Sequence, residues 1–310
     1  VAGQAFPDDD TFAQYPDGYT DKAQWRRHNI NLLITELADR IHDAKPWVKF
    51  GVSPFAVWRN KATDPEGSDT TAGAQTYDDL YADTRRWVRD EWIDYIAPQV
   101  YWNIGFAPAD YAMLVPWWAQ QVRGTDVQLY IGQATYKVEL STQDPAWQDP
   151  QEMTRHLFFN RFFPEVQGDI YFSAKDVRAN RLGNMDIVQA DHYQHPALIP
   201  VTAGVPGHTP KAPSRLTSSR GPDAVDLSWR GNSDSSVEYA VYRFDGAGVR
   251  PSRCDGADAS HLVATVRGDA TSTDQHWTDV TAEPGATYTY VVSALDRAYR
   301  ESAPSRPVTS

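Results

Sequence analysis

One pattern constrains this chain more than any other: a helical run followed by a short apolar run, repeated along the first 190 or so residues and then abandoned. Between Asp21 and Lys45, Trp25, Ile30, Leu33, Ile34, Leu37 and Ile41 recur at helical spacing until Pro46 ends the run, and Val48–Phe55 (VKFGVSPF) then reads as a buried strand. The unit recurs as helix Tyr77–Trp92 with strand Ile93–Trp102, helix Pro108–Arg123 with strand Val127–Ala134, and helix Gln151–Val166 with strand Gly168–Ala174. A last helix is expected over Asn184–Tyr193. Strands alternating with helices at this spacing give right-handed crossovers and a parallel sheet with helices outside it. Four such strands are half of a (β/α)₈ barrel, a fold that normally takes about 250 residues.

After Ile199 the pattern changes. Pro200, Gly204, Pro206, Gly207 and Pro210 mark a linker over residues 199–212. Beyond it, short alternating runs at Ala224–Trp229, Val237–Phe244, His261–Arg267, Gln275–Val280 and Thr287–Leu295 are separated by Gly, Asp, Ser and Pro turns. Several short strands in about 100 residues predict a β-sandwich. The expected fold class is therefore α/β for residues 1–198, as the C-terminal half of a TIM barrel, and all-β for residues 213–310.

Composition narrows the partners. A formal net charge of -12 repels phosphate backbones, so nucleic acid is not an expected partner. No apolar run reaches the roughly 18 residues a membrane span requires. The chain opens at Val1 on a Gly/Pro/Asp-rich segment, and any export signal is expected to precede it. Cys254 is the single cysteine and cannot close an intrachain disulfide. Nine of the eleven tryptophans precede residue 150, a density that sugar binding would explain, because pyranose rings pack flat C–H faces on aromatic rings. The eight histidines show no metal-ligand spacing, and neither metal nor cofactor is expected.

Six stretches resemble, in order, the bacterial glycosyl-hydrolase-like 10 group: WRRHNIN at Trp25–Asn31, KFGVSPFAVWRN at Lys49–Asn60, YDDLYADTRRWV at Tyr77–Val88, IDYIAPQVYW at Ile93–Trp102, LYIGQATYK at Leu129–Lys137 and YFSAKD at Tyr171–Asp176. The resemblance implies a TIM-barrel family of secreted or cell-envelope proteins, with the family's first four strands, and an acidic strand end among them, having no counterpart here. Residues Pro213–Ser310 resemble a fibronectin type III domain, with Trp229 as core tryptophan, YAVYR at Tyr239–Arg243 as central strand and Tyr288 at the tyrosine corner.

Chemistry in TIM barrels sits at the C-terminal ends of the strands. Reading those ends gives Ser53, Phe55, Trp58, Arg59 and Asn60, then Gln99, Tyr101, Trp102 and Asn103, then Gln133, Tyr136 and Lys137, and finally Ser173, Lys175 and Asp176. The substrate-binding candidates are Ser53, Trp58, Arg59, Asn60, Gln99, Tyr101, Trp102, Asn103, Gln133, Tyr136 and Lys137, whose amides, phenols and indoles suit sugar hydroxyls and faces. Trp102 is expected at the mouth and Tyr101 turned inward, since neighbours on a strand point to opposite faces. Arg59 either clamps a sugar substituent or orients a neighbouring acid. Glycosidic cleavage needs two carboxyl groups, about 5 Å apart for retention or roughly 6.5–9.5 Å for inversion. Asp176 is the carboxylate nearest a strand end, as a catalytic candidate or as a helix cap, and Asp94 at the opposite end of its strand reads as structural. Two functions follow: a glycosidase acting on a bacterial envelope glycan or related polysaccharide, with at least one catalytic acid outside this chain, or a carbohydrate-binding protein without an acid pair. Four strands also predict an open sheet, with Phe50, Val52, Ile96, Val100, Leu129, Ile131, Ile170 and Phe172 as candidates for an uncovered inward face.

Overall fold

The computed structural model describes residues 6–231, 236–251 and 258–310, so Cys254 lies outside the described residues. The chain divides into two compact units, Val1–His192 and Tyr193–Ser310.

The first unit begins with α1 (Asp9–Gln14) and the long α2 (Lys22–Ala44). Asp21 caps α2 by accepting from the Ala23 amide at 2.8 Å. The strands are β1 (Gly51–Val52), β2 (Tyr95–Ile96), β3 (Gln128–Gln133) and β4 (Val166–Tyr171), parallel and in the spatial order β1-β2-β3-β4. β1 and β2 are shorter than the apolar runs that carry them, and proline is the cause. Pro54 and Pro98 accept through their carbonyls, from Gln99 N and Gly132 N, but have no N–H to donate. The ladder therefore breaks and resumes as isolated bridges from Phe55 to Gln99 and from Gln99 to Gly132.

The helix expected over Tyr77–Trp92 is two: α3 (Thr76–Asp79) and α4 (Thr84–Arg89). Tyr81 between them has φ 53°, a left-handed conformation that no helix continues through. The Arg26 guanidinium holds it, stacked 4.7 Å from the ring centroid and donating to the hydroxyl at 2.7 Å. Then follow α5 (Tyr111–Val122), capped by Asp110, α6 (Glu152–Asn160), α7 (Ala174–Ala179) and α8 (Asn184–His192).

Helices cover one face of the sheet, and the pleat decides which side chains they meet. Ile96, Val100, Leu129 and Ile131 are buried in one apolar cluster with Trp87, Leu114 and Trp118, and Phe50 and Val52 pack against it. Six of the eight residues expected on an uncovered inward face thus belong to the helix side. Register explains the split: Gly132 pairs with Ile170 and Ile131 with Asp169, so Ile131 and Ile170 point oppositely. Ile170 and Phe172 do lie on the uncovered face, 43% and 56% exposed. Small residues make room for rings there. A Cβ on Gly51 would lie 2.5 Å from the Tyr95 ring, and one on Gly168 would lie 3.1 Å from the Tyr130 ring.

The second unit holds two antiparallel sheets. Its strands are β5 (Ser214–Arg220), β6 (Val225–Arg230), β7 (Glu238–Asp245), β8 (Leu262–Arg267), β9 (Asp274–Asp279), β10 (Tyr288–Leu295) and β11 (Val308–Thr309), ordered β11-β10-β7-β8 and β5-β6-β9. β6 alternates strictly, with Val225, Leu227 and Trp229 buried and Asp226, Ser228 and Arg230 exposed. Those three meet Tyr239, Val241, Tyr290 and Val292 of the other sheet in one core. Residues read as a linker are tied to this unit: Thr202 N donates to Ala298 O at 2.9 Å, and Val205 O accepts from Arg300 Nη1 at 2.9 Å.

Candidate functional site

Three strands of the first unit each deliver one aromatic ring just past their C-terminal ends. Tyr101 follows β2, Tyr136 follows β3 and Phe172 follows β4. The Tyr101 and Phe172 rings are stacked at 6.2 Å and 26°, Tyr136 stands edge-on to Tyr101 at 5.8 Å and 74°, and Tyr136 stands edge-on to Phe172 at 5.9 Å and 89°. Burial, with the neighbouring Tyr136 adding to it for Tyr101, pushes both phenols above their ordinary pKa, so they act as neutral hydrogen-bonding groups. Phe172 was not among the binding candidates. It was expected with Ile170 on the uncovered face, where it lies, but its meeting with Tyr101 and Tyr136 depends on the fold.

Lys137 closes one side of the cluster. Its Nζ donates to the Tyr101 carbonyl at 2.6 Å and lies 5.9 Å from the Trp147 ring centroid. Ser53 and Gln99 are joined to each other, Gln99 Nε2 donating to the Ser53 carbonyl at 3.0 Å. Trp102 and Tyr101 are both half-buried and pack on different core clusters, Tyr101 beside Ala134, Val138 and Trp147. Trp102 stands edge-on to Phe55 at 5.3 Å and 88° and packs on the helix-side core, in phase with Ile96 and Val100 earlier in the same run.

The loop after β1 is occupied with itself. Trp58 is buried, donates through Nε1 to Asp83 Oδ1 at 3.1 Å, and lies parallel to Trp117 at 6.3 Å. Arg59 makes two parallel bonds to Asp78, each 2.8 Å, and one to Asp64 at 2.9 Å, the acid-pairing alternative of the two read from sequence. Asn60 uses Nδ2 on Ala72 O and Oδ1 on Ala72 N and Thr70 Oγ1, at 2.7–2.9 Å. These three residues shape the loop and are not gathered with the aromatic cluster. Asn103 is likewise buried, donating to the Ile104 carbonyl at 3.1 Å.

Gln133 is fully buried on the helix side of β3. Its Nε2 donates to Tyr111 Oη at 2.8 Å and Asp169 Oδ1 at 2.7 Å, leaving Oε1 to accept from His156 Nδ1 at 3.0 Å. His156 Nε2 in turn meets Glu152 Oε1 at 3.1 Å. The network locks β3 to α6 behind the site. Within it, burial outweighs the amide bonds from Gln133 and Asn160 and raises Asp169 to about 6. Sequence reading passed over Asp169 because it sits inside an apolar strand; that placement is itself the signal.

Asp176 takes the helix-cap role that was one of its two readings from sequence. Its Oδ2 accepts from Ser173 Oγ at 2.7 Å and Ser173 N at 3.3 Å in a capping box on α7, and its Oδ1 pairs with Arg181 at 3.1 Å. The Ser173 hydroxyl bond leads in holding its pKa below the ordinary value despite burial, so it has no proton to donate near neutral pH. Asp94 is structural as expected, with Oδ2 at 2.6 Å from Phe50 N and 2.9 Å from His42 Nε2. Among the described residues, no helix is long and apolar enough to cross a membrane.

Residues 1–149 match the family described as Glycosyl hydrolase-like 10. Among curated proteins, the chain is 42% identical over 315 residues to glycosyl hydrolase YngK of Bacillus subtilis (strain 168), covering all of this chain and 59% of that protein. It is 45% identical over 174 residues to glycosyl hydrolase DigH of Escherichia coli (strain K12), covering 55% of this chain and 39% of that protein. The chain thus spans less than two thirds of either relative. Among solved structures, an Fn3-like protein from Clostridium thermocellum aligns with 33% of this chain and 92% of its own at 24% identity and a TM-score of 0.25. A beta-1,2-glucanase from Parabacteroides distasonis aligns with 37% of this chain and 13% of its own at 23% identity and a TM-score of 0.24.

Proposed function

We infer that this chain is the C-terminal half of a (β/α)₈ glycosidase barrel carrying a fibronectin type III module, and that it supplies the sugar-contacting wall of the active site. The Tyr101–Tyr136–Phe172 cluster carries this reading, because three strands converge to present one patch of aromatic edges and faces of the kind that pack on pyranose C–H groups. The open order β1-β2-β3-β4 and the matching glycosyl hydrolases support the half-barrel. The two-sheet core around Trp229 and Tyr290 supports the module. The parent enzyme acts on a bacterial envelope glycan or related polysaccharide by carboxylate acid/base chemistry, in a secreted or cell-envelope setting.

At least one catalytic carboxyl group lies outside Val1–Ser310. Asp176 is committed to its cap and Arg181, and Asp169 is turned behind the sheet, so neither offers an acid at the strand ends. The test is calorimetric titration of Val1–Ser310 with neutral oligosaccharides. Binding is expected, weakened by about 1–3 kcal/mol in Phe172→Ala, the scale of one large aromatic contact. Unchanged affinity in that variant would remove the cluster from the site.

A further inference from the structure

Lys137 stands out at the strand ends as a half-buried cation without a counter-charge among the described residues, whereas Lys175 is exposed. Arg181, the neighbouring cation, bonds the Tyr136 carbonyl at 3.5 Å and is matched by Asp176 at 3.1 Å. Arg59 has Asp64 and Asp78. Among the described residues, Lys137 has no carboxylate within ion-pair distance; its recorded partners are the Tyr101 carbonyl and the Trp147 ring. Burial pushes its ammonium below the ordinary lysine value, the cost of drawing a cation partly out of water without an anion. The chain has 41 acidic against 29 basic residues, so a counter-charge was available in composition and is absent at this place. One of the three ammonium N–H groups is used on Tyr101, which leaves two to donate.

We propose that Lys137 is a specificity residue that takes an anionic substituent, a carboxylate carried by a sugar ring, while that ring packs on Tyr101, Tyr136 and Phe172. The substrate class is accordingly an acidic glycan. The proposal rests on the reading of the cluster as a sugar platform and goes beyond it in assigning charge. A ligand carboxylate would accept both free N–H groups in charge-assisted bonds, which are stronger and more geometrically demanding than bonds to sugar hydroxyls.

The test uses Val1–Ser310 and a set of acidic oligosaccharides of different backbones, each paired with its methyl ester, which removes the charge and keeps the backbone. Wild type is expected to bind at least one acid about fivefold or more tightly than its ester, with the preference shrinking as salt rises. Lys137→Met should abolish that preference by weakening the acid far more than the ester, and Lys137→Arg should retain most of it. Equal wild-type affinity for acid and ester overturns the charge assignment and leaves the platform standing. Equal weakening of both ligands in Lys137→Met assigns the lysine to strapping Tyr101 and overturns it too. Binding of neither ligand set overturns the platform reading and this proposal together.

Discussion

Asp169 in the first unit and Asp279 in the second are both strand carboxylates drawn out of water, yet their surroundings move them in opposite directions. Asp169 receives only carboxamide N–H groups, from Gln133 and Asn160, and burial prevails, raising it to about 6. Asp279 is fully buried and would be raised by that alone, but Thr281 and Tyr290 donate to it and Arg243 pairs with it at 2.9 Å, so it is held below the ordinary carboxylate range. A buried carboxylate stays ionised where a cation and several donors reach it, and leans toward its protonated form where only neutral amides do. The same contrast runs through the packing. The second unit closes its core between two sheets, whereas the first leaves one face of its sheet and the rings of Ile170's neighbours open.

Aromatic truncation should break this comparison most visibly. Trp229→Ala removes an indole that is 2% exposed between the sheets and is expected to cost about 3–5 kcal/mol of stability. Phe172→Ala removes a ring that is 56% exposed and should cost under about 1 kcal/mol. Denaturant unfolding of Val1–Ser310, with hydrogen exchange to separate the units, measures both; comparable losses would erase the distinction between a closed core and an open face.

The two carboxylates should also give opposite pH dependence. For Asp169 the folded pKa lies above the unfolded value of about 4, so the native state binds the extra proton and the first unit loses about 2 kcal/mol as pH rises from about 4 to 6. For Asp279 the folded pKa is depressed, so its contribution is present above pH 4 or so and is lost as pH falls. Asp169→Asn should flatten the first slope and Asp279→Asn the second. Slopes of the same sign in both units would show that the assigned surroundings are wrong.

A smaller effect sharpens the placement of the site. Trp102→Ala should lower stability through lost packing on Phe55 while leaving oligosaccharide affinity within a few tenths of a kcal/mol, whereas Tyr101→Phe should spare stability. Weakened binding in Trp102→Ala, measured on a variant that remains folded, would return that indole to the mouth.

The repeating helix and strand runs made the order of elements legible from sequence, and α2 with its Asp21 cap lies within one residue of its expected bounds. What escaped were facts that depend on three-dimensional neighbours. Nothing local in Leu80–Tyr81 announces a helix break; it requires Arg26, 55 residues earlier. Prolines 54 and 98 were visible, but their consequence was to interrupt pairing within β1 and β2 while leaving parity intact, so that Ile96, Val100 and Trp102 all face the helix side. Strand-end position alone also grouped Gln133 with Tyr136, although the former is locked behind the sheet to Tyr111, Asp169 and His156. Phe172 was expected on the open face with Ile170, but its meeting with Tyr101 and Tyr136 was not legible, because it joins three separate strand ends.

The measurement that bears most directly on the assignment of a sugar-contacting wall without a complete acid pair is a paired assay on Val1–Ser310: oligosaccharide binding by calorimetry and release of reducing ends on the same glycans. Binding that depends on Phe172, with no turnover above buffer, is the predicted result. Robust release of reducing ends by Val1–Ser310 would contradict it, because a working pair of carboxyl groups would then have to lie within this chain.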